Sequence, residues 1–114
     1  STIRREVLEE TGLTVTKIYG EELSAVIQVG EVKTISFEPF CITQNLRGAY
    51  SIILNTFICE AEGETLPSTD EAQNVGWVNI SEVRQIIKNE PERVFFMHIN
   101  ALKKYLNINL IFKI

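Results

Sequence analysis

The chain has 114 residues, 45% of them apolar, with a formal net charge of −4 and a mean hydropathy near zero. This is the composition of a globular chain of one domain at most, too apolar to stay disordered and too short for two generous cores. No stretch concentrates Lys and Arg, which argues against a nucleic-acid polymer as partner, and no apolar run reaches the ~18 residues of a membrane span.

In chain order, "STIRREVLEETG" predicts a helix over residues 1–12. Ser1 or Thr2 can cap it, and Gly12 supplies the left-handed residue that commonly follows a last turn. At about 100° per residue, Ile3, Val7, Leu8 and Thr11 share one side, while Glu6, Glu9 and Glu10 share another. From Leu13 the period changes to two, and strands are expected over about 13–62. "LTVTKIYG" alternates, "SAVIQVG" is β-branched, and "KTISFEPFCIT" alternates around Pro39, which suits an edge or a bend. "YSIILNTFICEAEG" is apolar on both faces and predicts a central, doubly covered strand. Cys41 and Cys59 fall in these runs, far apart, and read as buried free thiols of a reducing compartment.

After Gly63, "ETLPSTDEAQN" reads as loop, and "VGWVNI" as a short strand over about 75–80 with Trp77 in the core. Ser81 is expected to cap a helix, and Pro91 to open a second, "PERVFFMHINALKKYL", so that helices fill 81–106. The tail "NINLIFKI" fits either a strand or an extension. A helix, several strands and two helices in that order predict a mixed α/β (α+β) layer in a single domain over 1–114. No leader-like segment is present, so the chain is expected in the cytoplasm, with no membrane partner.

The first helix is charged in a way that helix stability alone does not favour. Arg5 and Glu9 can pair at i,i+4, but Glu6 and Glu10 repel at the same spacing, by roughly 0.2–0.5 kcal/mol. Glu9 and Glu10 also oppose the negative C-terminal end of the helix dipole, by a further ~0.3–1 kcal/mol. A multivalent cation reverses the sign of these terms, because hard carboxylate oxygens on adjacent turns can share Mg²⁺ or Mn²⁺. By average residue usage, R-E-aliphatic-x-E-E-x-G-aliphatic arises by chance in such a chain on the order of once in a hundred thousand.

Arg5, Glu6, Val7, Glu9, Glu10, Gly12 and Leu13 resemble the second half of the Nudix box, G-x5-E-x7-R-E-U-x-E-E-x-G-U, where U is a bulky aliphatic. The glycine and first glutamate of the box would fall before Ser1, as would the upstream strands of such a domain. The order in "NTFICEAEGETLPSTDEAQNVGWVNISEV" is also similar to that family, so the resemblance covers about residues 1–106. It implies a Nudix-like mixed sheet sandwiched between helices, entered without its N-terminal strands. It also implies metal-dependent hydrolysis of the pyrophosphate bond in a nucleoside diphosphate linked to another moiety. In that reading Glu6, Glu9 and Glu10 are ligands of Mg²⁺ or Mn²⁺, with Glu9 and Glu10 catalytic through the metal. Arg5 orients a glutamate, and Gly12 permits the turn into the next strand. Glu71, in the loop "STDEAQNVGW", is either a further ligand or general base, or a solvated loop acid beside Asp70. The partner is a small nucleotide-type substrate, and a chain lacking upstream strands is expected to expose a sheet edge or apolar face and to associate with another chain, either a second copy as a homodimer or a different partner. The rival readings are a non-catalytic nucleotide- or protein-binding module on the same scaffold, and an inactive fragment.

Overall fold

The computed structural model describes residues 2–21, 25–48, 51–66 and 75–107. They form three α-helices and small antiparallel sheets, an α+β fold, arranged in two compact units. Ser1–Glu38 with Ile58–Trp77 make the first unit, and Pro39–Phe57 with Val78–Ile114 the second.

The first unit opens with helix α1, Thr2–Thr11. Its last turn is closed from both sides. Thr11 Oγ1 donates to the Val7 carbonyl at 2.6 Å and accepts from the Leu13 N–H at 3.1 Å, and the Gly12 N–H donates to the Leu8 carbonyl at 2.9 Å. Gly12 then takes φ +81, the left-handed step that glycine makes at little steric cost and that turns the chain into strand β1, Thr14–Ile18.

β1 pairs antiparallel with the last strand of the unit, Cys59–Glu62, which is β6 in chain order. Val15 lies opposite Ala61 and Lys17 opposite Glu60, so Thr16 is an extra residue, a bulge. That extra residue explains why Val15 and Ile18, three apart, are both buried with Leu13: without it they would face opposite sides. Strands β2, Ala25–Val29, and β3, Val32–Ser36, form a hairpin in which Val29 opposes Val32 across Gly30-Glu31. Gly30 has φ +60, the positive value a two-residue hairpin turn of this kind demands. The described side chains of the hairpin are exposed, Val26, Ile27, Val29, Val32 and Ile35 among them.

In the second unit, strands β4, Cys41–Gln44, and β5, Ile53–Thr56, pair antiparallel. Cys41, Thr43, Leu54 and Thr56 share the half-buried face, while Ile42 and Ile53 lie on the exposed one. Helix α2, Ile80–Asn89, is followed by two 3₁₀ turns, Pro91–Arg93 and Phe96–His98, and by helix α3, Ile99–Tyr105. Ile87, Met97, Ala101 and Leu106 are buried and form the core of this unit, and Arg84 Nη1 ties α2 to the end of α3 by donating to the Leu106 carbonyl at 3.0 Å.

Several expectations are corrected. The run from Tyr50 to Gly63 is not one central strand: it breaks at Phe57-Ile58, where β5 ends its pairing with β4 and β6 begins pairing with β1. Residues 75–79 form no strand, and Trp77 is 67% exposed rather than core. The second helix is capped by Asn79, not Ser81: Asn79 Oδ1 accepts from the Glu82 N–H at 2.8 Å and from Ser81 Oγ at 2.7 Å. The long helix expected from Pro91 is interrupted because Phe95 adopts φ −56, ψ 125, outside the helical region, within an aromatic and β-branched run of weak helix propensity. Cys41 and Cys59 are free, as expected, but half-buried. The apolar tail from Ile108 lies outside the described residues.

The cap yields a first prediction. Asn79→Ala leaves the Glu82 N–H without its acceptor and should destabilise the chain by ~1 kcal/mol, whereas Ser81→Ala should change stability by less than half of that. Urea unfolding followed by circular dichroism separates the two, and equal losses would mean that Asn79 is not the cap.

Candidate functional site

α1 sets the charged residues of the opening stretch by its own period. Ile3, Val7 and Thr11 are half-buried, and Glu6, Glu9 and Glu10 are exposed. Leu8 departs from the expected apolar side and is 53% exposed. Val7, Gly12 and Leu13 act structurally: Val7 turns inward, Gly12 takes the left-handed step, and Leu13 anchors the entry to β1 in the core. A side chain on Gly12 would also meet Leu66 Cγ at 2.7 Å, and the Leu66 N–H donates to the Thr11 carbonyl at 3.0 Å, so the exit of α1 is closely covered.

The expected Arg5–Glu9 pair does not form. Both residues are exposed, and Arg5 precedes Glu9, the weaker orientation for an i,i+4 pair because it runs against the helix dipole. The neighbour of Arg5 does make an ion pair: Arg4 Nη1 donates to both carboxylate oxygens of Glu21, at 2.8 and 2.9 Å. Glu21 lies beyond β1, seventeen positions from Arg4, and no local spacing signals the contact.

For a hard divalent cation the donor chemistry is right. Three carboxylates within two helical turns offer oxygen ligands and enough negative charge for Mg²⁺ or Mn²⁺. As placed, they do not converge: among the described residues no three His, Cys, Asp or Glu side chains come together as a metal-holding group. All three are exposed, so none of them contributes to the core.

Glu71, like Asp70 beside it and Tyr50, lies outside the described residues. His98 is exposed at the end of a 3₁₀ turn with its ring 5.4 Å from that of Phe95. Arg47 sits in a turn whose form is set locally, its backbone N–H donating to Asn45 Oδ1 at 3.2 Å. Tyr19 carries the Lys17 ammonium over its ring at 4.3 Å, and Phe40 that of Lys104 at 4.4 Å, so both rings have structural partners. Among the described residues no helix is long and apolar enough to cross a membrane.

Comparison of the chain with protein-family models, with curated proteins and with solved structures finds no match.

Proposed function

We propose that this chain works as a Nudix-type, metal-dependent pyrophosphohydrolase on a nucleoside diphosphate linked to another moiety. One observation carries the reading: the seven box positions from Arg5 to Leu13 fall on a helix and its exit turn, each where its residue type is usable. The glutamates face solvent, Val7 and Leu13 turn inward, and glycine occupies the left-handed position. The reading brings with it, as the wider fold, a mixed sheet sandwiched between helices.

In this reading Glu6, Glu9 and Glu10 hold Mg²⁺ or Mn²⁺. The bound ion would neutralise the charge of the pyrophosphate and acidify a water, neither of which an acidic helix face can do alone. The chain's own contribution is to present three carboxylates on one rigid element and to hold that element against β1 through Leu13 and the Gly12 turn. Arg5 would orient a glutamate once the ion draws the carboxylates together. Glu71 is the candidate for a further ligand or base.

The test is thermal unfolding in Mg²⁺ against Na⁺ at equal ionic strength. A site bound at ten times its Kd stabilises by about 1.4 kcal/mol, a rise in melting temperature on the order of 5 °C. Superimposable curves would remove the metal site and the activity that depends on it.

A further inference from the structure

A groove runs between α1 and the start of β1, on the flank of the helix away from Glu6 and Glu10. It is lined by Arg4, Arg5 and Leu8 of the helix and by Thr14 and Val15 of the strand, with a volume of about 330 Å³. That is the small end of the range for ligand pockets, ~300–1,000 Å³. Its walls are apolar where Leu8 and Val15 meet it, and its two charges differ in kind.

Arg4 is pinned and neutralised. One guanidinium nitrogen lies between both oxygens of Glu21, which fixes the group and balances its charge. A held, weakly hydrated guanidinium is a flat plate suited to stacking against a planar ring. Arg5 is exposed and makes no ion pair among the described residues, so while no ion draws a glutamate to it its charge is open to an anion. Around the helix Arg5 lies between Arg4 and Glu9, so the groove adjoins the carboxylate face.

A stacking plate, an apolar wall and one uncompensated cation together suit a ligand with a planar ring and a phosphate. We infer that the groove holds the nucleotide part of the substrate, with the base against Arg4, Leu8 and Val15 and a phosphate on Arg5. The inference rests on the nucleotide reading above, but its contacts need no metal.

That independence shapes the experiment. The 114-residue chain with labelled Leu and Val methyl groups is titrated in EDTA with ADP, with adenosine and with inorganic phosphate. ADP should shift the Leu8 and Val15 methyl signals and bind at least about fivefold more tightly than adenosine or phosphate, the ring and the anion each contributing. Arg5→Gln should weaken ADP about fivefold or more and leave adenosine unchanged, whereas Leu8→Asn should weaken both. Both side chains are exposed, so the variants should melt close to the parent. Unmoved methyl signals, phosphate binding as tightly as ADP, or an Arg5→Gln variant with undiminished ADP affinity would each overturn the assignment. If Mg²⁺ raises the melting temperature while ADP leaves these methyls unmoved, the metal site stands and the groove falls. Methyl shifts in EDTA with no Mg²⁺ effect give the reverse.

Discussion

Gly20→Ala should lower stability by ~3 kcal/mol or more, a large part of the ~5–15 kcal/mol that holds a small domain together. Gly20 follows β1 with φ +93, and its carbonyl accepts from the Glu38 N–H at 3.2 Å. A Cβ there would stand 1.8 Å from the Glu38 carbonyl oxygen and 2.9 Å from the carbonyl carbon. These are backbone atoms, so no rotamer change relieves the clash, and either the Gly20–Glu38 contact or the turn itself must open. The left-handed backbone adds its own strain. Gly30 supplies the control: it also has positive φ, but a Cβ there meets nothing within 4 Å. Gly30→Ala should therefore lose only the conformational term, ~1–2 kcal/mol. Melting curves of the two variants should differ by on the order of 10 °C. Coincident curves would show that the Gly20–Glu38 approach is not what holds this turn.

The second large effect belongs to Glu9. In Mg²⁺, Glu9→Gln should reduce hydrolysis of a nucleotide pyrophosphate at least ~100-fold, because a neutral amide is a poor ligand for a hard cation. Without metal the same change should leave stability unaltered or raise it by ~0.2–0.5 kcal/mol, since it relieves repulsion with Glu6 and with the helix terminus. Glu9 is a cleaner position than Glu10 because its expected pair with Arg5 is not formed, whereas Glu10 is engaged with a neighbour. The two readouts move in opposite directions only if the carboxylate serves an ion. A joint loss of activity and of metal-free stability would make Glu9 a structural residue and defeat the metal assignment.

What could be read from the chain was what neighbours in sequence decide. α1, its glycine exit and the first four strands follow from local period and from Gly and Pro placement, and they appear where those signals put them. Partner choice was not legible. The apolar residues from Tyr50 to Gly63 carry the same pattern whether they pair with one strand or two, so the break at Phe57-Ile58 leaves no trace in periodicity. Asn79 and Ser81 are both good caps, and the choice rests on where the first helical φ falls. Trp77 looked like core because tryptophan usually is, yet its segment forms no ladder to bring it inward. At the candidate site the glutamates were legible because helical spacing is local. Arg4–Glu21 was not, since it joins residues on either side of β1.

The pairing of β1 with β6 also sets a timetable. Thr14 and Glu62 are partners, and most of what lies between them belongs to the hairpin or to the second unit. A ribosome adds ~5–20 residues per second, so Val15 must wait about 2–10 s for Ala61 to be made. During that interval β1 lacks its partner β6, while β2 and β3, nearly contiguous, can close within microseconds. On a nascent chain the glutamate helix is thus made well before the strand that seats it, and is seated only after a long loop closes.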